Sequence, residues 1–153
     1  MIRIIIFLFL FAPVTAFSQN FIGKTRSHVK KELEKTIAKN DSLTITLSDN
    51  DSTLVFSYKE GKVQPVDFIY GFNKAGKCRS EKTIARCDSC FKKFLTAALG
   101  QKKYGWKKIN ENQYISKYSA QMMIELPANE TDFSYSILHT EWTKELYESL
   151  KGN

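Results

Sequence analysis

The clearest pattern of apolar and polar positions near the start of the chain has a helical repeat. Val29, Leu33 and Ile37 recur every four residues, which places them in one stripe, and lysine and glutamate occupy most positions between them. A hydroxyl at Thr25 or Ser27 can accept a hydrogen bond from a free amide at the start of such a helix. The pattern therefore predicts a first helix with one face against a core.

Runs rich in β-branched and aromatic residues follow this helix and are separated by short polar segments. Such runs are typical of strands, and residues 48–51, 60–61 and 73–76 have the composition of turns. Strands joined by short turns pair antiparallel, so these runs predict a meander. The predicted strands cover residues 43–47, 53–58, 66–72 and 77–84.

A second amphipathic segment predicts a helix in the middle of the chain. Asp88 or Ser89 can cap its start, and Gly100 lies just past its end. Its apolar stripe consists of Phe91, Phe94, Leu95 and Leu99. Further strands are predicted at residues 104–109, 113–126 and 133–139, the second of them long enough to be bent. A closing helix is predicted from apolar residues four apart, Trp142, Leu146 and Leu150.

The order of these elements predicts an α+β fold, with an antiparallel meander sheet and helices on one face. A helix followed by several strands occurs twice, which allows an interpretation as two αβββ-like units. LVFSY in the first half and YISKY in the second would then be equivalent segments.

The first eighteen residues predict a secretory signal peptide. Arg3 gives a positive start, residues 4–11 are apolar, and Ala16 and Ser18 supply the small residues that a signal peptidase requires. An uncleaved N-terminal anchor is the alternative, although the apolar run is short for a membrane span. Cleavage after Ser18 would leave residues 19–153 as a single α+β domain, secreted or periplasmic, with no stable membrane span.

Two resemblances accompany these patterns. The residues that end the leader resemble signal peptides of Bacteroidetes bacteria. The opening of the first helix, FIGKTRSHVKKEL, resembles that of the SmpA/OmlA-type outer-membrane assembly lipoproteins and of the β-lactamase-inhibitor proteins, through Gly23, Thr25, Val29 and Leu33. The chain lacks the cysteine that anchors those lipoproteins to lipid. The resemblance implies a binding module rather than an enzyme, and it transfers no functional residue.

Cys78, Cys87 and Cys90 are the sharpest chemical feature of the sequence. In an oxidising compartment at least two of the three thiols should pair. Cys87 and Cys90 are the preferred disulfide, because an extended strand before them would carry Cys78 away. If that stretch loops back instead, Cys78 becomes the alternative partner; otherwise it is left over.

The C-D-S-C spacing at a helix start is also the arrangement of thioredoxin-like oxidoreductases, where the helix stabilises a thiolate. The preceding meander differs from the βαβ unit of that fold, and Pro127 is the one residue that could act as its cis-proline. A metal site is not expected, since no histidine lies near the three thiols.

The remaining residue types predict no catalytic site and no cofactor. His28 and His139 are the only histidines, and neither has a serine or cysteine nucleophile beside it in sequence. No phosphate-binding glycine loop occurs. Glu81, Glu125 and Asp132 are the acids that would have to meet in one cleft for glycosidic chemistry, and nothing in the sequence brings them together.

The charge of the chain is unevenly distributed. The formal net charge is +7, and residues 73–108 alone hold eleven lysines and arginines against two acids. Residues 102–108 interleave lysine with Tyr104 and Trp106, which either marks a surface for anions or is a strand with its aromatic side chains in the core. Outside the cytoplasm, nucleic acid is not the expected partner.

These observations favour a secreted or periplasmic, non-enzymatic binding module. Its partner would be an unknown protein or an anionic component of the cell envelope. The alternative is a thiol-disulfide oxidoreductase that uses Cys87 and Cys90.

Overall fold

The computed structural model describes residues 20–40, 44–59, 64–129 and 133–152, and within them three α-helices and eight strands. The helices are α1 (Arg26–Ala38), α2 (Asp88–Leu99) and α3 (Lys144–Lys151). The strands are β1 (Thr44–Asn50), β2 (Thr53–Lys59), β3 (Val66–Phe72), β4 (Cys78–Ala85), β5 (Lys107–Asn110), β6 (Gln113–Ile115), β7 (Met122–Glu125) and β8 (Ser134–His139). The predicted leader and the predicted turn at residues 60–61 lie outside the described residues.

The eight strands form one antiparallel sheet in the order β1-β2-β3-β4-β8-β7-β6-β5. Helix α1 opens a meander of four strands, α2 opens a second meander of four, and the last strands of the two meanders, β4 and β8, pair at the centre. The prediction of an α+β fold built on an antiparallel meander is therefore confirmed. Each half contains four strands after its helix, rather than the three of the predicted αβββ-like unit.

The second half has four strands, one more than its sequence predicted, because the predicted strand at residues 113–126 is divided. Residues Tyr118–Ala120 form a 3-10 helix, and Gln121 adopts a left-handed conformation with φ 51°. That conformation cannot continue a strand. For the same reason β5 begins at Lys107, because Gly105 (φ 58°) ends a 3-10 helix that contains Tyr104.

The first hairpin also differs from its prediction. Strand β1 continues to Asn50, which pairs with Thr53, so that the loop contains only Asp51 and Ser52. The sequence predicted a turn from residue 48, since Ser and Asp disfavour strands. Asp49 is tolerated because its carboxylate binds two cations of α1, Arg26 and, at 2.8 Å, Lys30.

The core lies between the sheet and the helices α1 and α2. Both helices pack on the same sheet face, as predicted, and Thr25 caps α1 by accepting the His28 N–H at 3.3 Å. Alternate residues of β2, β3, β7 and β8 point toward the helices, as expected for a half-buried sheet. The core residues are Phe21, Val29, Leu33, Leu54, Phe56, Val66, Phe68, Tyr70, Cys78, Phe94, Ala98, Met122, Ile124, Tyr135 and Ile137.

Helix α3 contacts the sheet elsewhere, at the end that contains β5. The Lys107 ammonium, which shares a face with Ile115, donates to the Lys151 carbonyl of this helix. The predicted apolar stripe of α3 is wrong at its centre, because Leu146 is 48% exposed and Tyr147 is the buried residue. The ring of Tyr147 packs against Trp142 and Tyr118, which precede α3 and β7 respectively, and those contacts determine the face that is buried.

Candidate functional site

The sheet face opposite α1 and α2 is not covered by these helices. Strand register assigns its residues, because the neighbours of core-facing Phe56, Phe68 and Thr83 must point the other way. No helix of the described chain packs over this side of β1–β4. We call it the open face and define it by ten residues of β1–β4 and β8: Thr46, Ser48, Val55, Ser57, Asp67, Ile69, Lys82, Ile84, Ser134 and Ser136.

Three branched aliphatic residues form the centre of the open face. Val55 lies opposite Ile69 across the β2–β3 pair. Ile84 of β4 lies opposite Asp67, which is two residues from Ile69 in β3. All three are half-buried although no helix covers them. The solvated side of an antiparallel sheet is ordinarily polar, so an aliphatic centre here is a departure from that pattern.

Hydroxyl groups surround this aliphatic centre. Thr46 and Ser48 project from the edge strand β1, and Ser136 projects from β8 on the other side, next to Ser134, which is buried. Each hydroxyl can both donate and accept a hydrogen bond without carrying charge. An apolar centre with a polar rim is the composition of a protein–protein interface.

The charges of the open face are few and of both signs. Asp67 binds Arg86 at 2.9 Å, so this acid is already neutralised. The exposed Lys82 lies at the centre of the sheet, opposite Ser136. At the β8 side the surface deepens into a depression of about 170 Å³, lined by residues that include Lys82, Pro127 and Ser136.

The cysteine pair lies away from the open face, at the start of α2. The Sγ atoms of Cys87 and Cys90 are 2.12 Å apart, which is disulfide distance, and Cys78 is free and buried in the core. Burial raises the pKa of the Cys78 thiol to about 12. The N-cap of α2 is Cys87, whose sulfur accepts the Cys90 N–H at 3.1 Å, and neither Asp88 nor Ser89 as predicted.

Asp88 is instead in the first turn of α2, where it binds Lys92 at 2.7 Å. Beside this turn a second depression of about 320 Å³ is lined by Asp88, Phe91, Asn112, Leu126, Pro127, Asn129 and Phe133. No cis peptide bond occurs between described residues. Pro127, which could have acted as a thioredoxin-like cis-proline, therefore does not do so.

The basic aromatic segment is largely accounted for by packing. Tyr104 and Trp106 are half-buried against the core, and the Trp106 indole donates to the Ala98 carbonyl at 3.1 Å. The lysines of the segment are exposed, with the Lys103 ammonium 4.7 Å from the centre of the Tyr104 ring. The two aromatic rings pack against the core as that interpretation expected, but the predicted strand is wrong at both residues: Tyr104 lies in a 3-10 helix, and Trp106 precedes β5.

Glu81 is a buried acid whose position the sequence analysis did not predict. Its side chain is directed into the core beside Tyr70 and Tyr135, and it is 9% exposed. One carboxylate oxygen accepts the Phe21 N–H, which attaches the segment before α1 to the sheet. Burial raises the pKa of Glu81 to about 8, even though the bonds from Phe21 and Ile22 lower it. The alternation of β4, in which Thr83 and Ala85 also face inward, was the available signal.

The other candidate residues do not come together. His28 is exposed on α1, whereas His139 is half-buried at the end of β8, where burial and Arg79 lower its pKa. Within the described ranges, no three His, Cys, Asp or Glu side chains are close enough to hold a metal ion. Glu125 accepts from Gln113 at 3.1 Å on β6, and Asp132 lies outside the described residues. No helix in the described part of the chain has the length and apolar character needed to cross a membrane.

Comparisons of the chain with protein-family models, with curated proteins and with solved structures find no match. The resemblance of the α1 opening to the SmpA/OmlA-type and β-lactamase-inhibitor proteins therefore stays a prediction. Support for a functional site therefore comes from the geometry of the structure alone. The open face is the principal candidate, ahead of the cysteine pair.

Proposed function

We propose that this protein is a non-enzymatic binding module, which binds a protein partner through the open face of its sheet. One observation carries the proposal: the sheet is covered by α1 and α2 on one side and presents Val55, Ile69 and Ile84 half-exposed on the other. Burial of these side chains by a partner would remove apolar surface from water, which is the main driving force of association.

Charge favours a protein partner over an anionic envelope component at this face. Lys82 is the one cation at its centre; Lys59 lies on the same side at the end of β2, and Arg86 already pairs with Asp67. A polyanion is bound by several cations acting together. The lysines of residues 102–108 lie at the other end of the sheet. They form a weaker candidate for an anion-binding surface, because the neighbouring rings of Tyr104 and Trp106 pack against the core.

The proposed place of action is outside the cytoplasm, either in the periplasm or in the surrounding medium. The leader pattern in residues 1–18 supports this, together with two cysteines at disulfide distance. We propose that the Cys87–Cys90 bond is structural and holds the first turn of α2.

A capture experiment with matched variants tests the binding proposal. The mature protein, Ile69→Glu and Thr96→Glu are immobilised and exposed to an envelope extract of the cells that produce the chain. Ile69→Glu places a charge in the aliphatic centre but opposite Lys82, so the strand pairing is preserved. Thr96 is exposed on α2, on the other side of the sheet.

We expect the wild type and Thr96→Glu to capture a protein that Ile69→Glu does not capture. When that protein is purified and titrated, it should bind the wild type and Thr96→Glu more tightly than Ile69→Glu. Equal capture by all three would refute binding through the open face.

A thiol-disulfide oxidoreductase is the second candidate, because Cys87 occupies the N-cap of α2. There the helix stabilises a thiolate, as the redox reaction requires. In that reaction the Cys87–Cys90 bond would be reduced to two thiols while a substrate dithiol is oxidised to a disulfide, with transfer of two electrons and two protons. The antiparallel meander before α2 weighs against this candidate.

The reduction potential of the pair and its activity in insulin reduction decide this point. A potential below about −300 mV, together with inertness in the insulin assay, would show a structural disulfide. A higher potential with turnover that is lost in the Cys87→Ser/Cys90→Ser variant would establish the oxidoreductase.

A further inference from the structure

The two edges of the sheet differ in how they are protected. The outer strand at one end, β5, has four residues, two of them lysines, and its pairing with β6 shifts between Lys108 and Asn110. A short strand, charged side chains and an irregular register are the devices by which natural sheets prevent an edge from pairing with another chain.

The opposite edge, β1, is neither short nor irregular, and its only charge lies near its end, at Asp49. It has seven residues, contains no lysine, arginine or proline, and pairs with β2 without a register shift. Its one charged residue, Asp49, points to the core side and is bound by Arg26 and Lys30 of α1. The contrast within one sheet indicates that the β1 edge is kept open to pair with a strand.

The main-chain groups available on β1 can be assigned from the hairpin. Asn50 and Thr53 flank a two-residue loop, so they exchange both main-chain hydrogen bonds. Because this arrangement alternates along an antiparallel pair, the N–H and C=O groups of Ile45 and Leu47 point away from β2. Among the described residues no strand pairs with them.

The side chains of β1 are complementary to a second copy of β1. If two copies pair antiparallel with Thr46 opposite Thr46, then Ile45 lies opposite Leu47, and Thr44 lies opposite Ser48. Ile45 and Leu47 are half-buried at the border of the core, so each would be covered by its counterpart. The exposed hydroxyl residues would meet on the other side of the sheet.

We propose that the protein forms a two-fold symmetric dimer by antiparallel pairing of β1, with Thr46 at the symmetry axis. The axis places Ile45 and Leu47 in hydrogen-bonded pairs, which agrees with the direction of their main-chain groups. The two sheets become one continuous sheet of sixteen strands, and the two open faces are joined side by side. This proposal does not depend on the identity of any partner of the open face.

Charge at the symmetry axis gives a sharp test. Thr46→Lys places two ammonium groups directly opposite each other in the dimer, and Thr46→Glu places two carboxylates there. Like charges in directly opposite positions destabilise a strand pair, whereas opposite charges stabilise it. Thr46 is exposed, so neither change disturbs the core. Ser119→Lys, exposed on the 3-10 helix before β7, is the control for an added lysine.

Sedimentation equilibrium of the mature protein over a dilution series measures the result. We expect the mass of two chains for the wild type and for Ser119→Lys, and the mass of one chain for Thr46→Lys and Thr46→Glu separately. An equal mixture of the two variants should recover the mass of two chains.

Four outcomes would overturn the proposal. A wild type that stays a single chain at every concentration excludes the dimer. If both Thr46 variants remain dimers, the dimer forms through another surface. If Ser119→Lys abolishes the dimer, the dimer likewise does not form through β1. Variants that separate but do not associate when mixed contradict the Thr46-centred register. Circular dichroism of each variant shows that loss of the dimer is not loss of the fold.

Discussion

Replacing Glu81 with Gln should remove a large part of the pH dependence of stability. In the folded protein the pKa of this buried acid is raised to about 8, while its ordinary value of 4.5 applies when the chain is unfolded. Between these values the folded state keeps a proton that the unfolded state has lost. Stability therefore decreases as the pH rises through this window and levels off above it.

The size of the effect follows from the width of that window. The interval from about pH 5 to the pKa of Glu81 in the folded protein spans about three pH units. Each unit corresponds to about 1.4 kcal/mol, so the free energy of unfolding should fall by about 4 kcal/mol across it. The groups nearest to Glu81 do not titrate in this range, because burial raises the pKa of Tyr70, of Cys78 to about 12 and of Tyr135 to about 12.

Urea unfolding from about pH 5 to about pH 9 gives the measurement. Glutamine has the shape of the protonated acid and keeps an oxygen that accepts the Phe21 N–H, so Glu81→Gln should lack the decrease that Glu81 causes. The contribution of His139, whose pKa burial and Arg79 lower, is common to both proteins and cancels in the difference. Glu148→Gln, an exposed change on α3, should follow the wild-type curve. Parallel curves for the wild type and Glu81→Gln would refute the assignment of Glu81 as a buried acid that folds protonated.

Further predictions concern stability elsewhere in the fold. Phe94→Ala should cost about 3–5 kcal/mol in urea unfolding, because the buried ring contacts Phe68, and a loss below about 1 kcal/mol would show that the α2 contact is wrong. Cys87→Ser/Cys90→Ser should cost at most about 2 kcal/mol, since the loop is short and serine can still cap α2; a chain that fails to fold would contradict this. Thr25→Ala should cost about 1 kcal/mol through loss of the α1 cap, and an unchanged midpoint would exclude that cap.

The parts of the fold that are encoded locally could be predicted from the sequence. The i, i+4 spacing of Val29 and Leu33 determined the buried face of α1, and both are in the core. For α3 the same reasoning chose Leu146, because spacing alone cannot show that Tyr118, from another part of the chain, packs on Tyr147. The division of residues 113–126 depends on the left-handed backbone conformation of Gln121, which could not be predicted because glutamine has no preference for that conformation.

The candidate site was harder to predict than the fold. The alternation of apolar and polar residues separates the two sides of each strand. It does not show which side the helices cover, because that depends on the order of the strands. The central β4–β8 pair joins residues that are far apart in sequence. The cysteine pair was recognisable because its spacing is local. Glu81 was overlooked as a core residue because a carboxylate is seldom buried, and its hydrogen bonds with the main chain of Phe21 and Ile22 could not be predicted from the sequence.

Methyl NMR of the protein with its captured and purified partner tests the open-face proposal most directly. Val55 and Leu54 are neighbours in β2 but lie on opposite sides of the sheet, so their methyl groups report separately on the open face and the core. We expect the partner to shift the methyl signals of Val55, Ile69 and Ile84 and to leave those of Leu54 and Ile124 nearly unchanged. Shifts confined to residues around Cys87 and Cys90, or to the lysine-rich end near β5, would contradict binding through the open face.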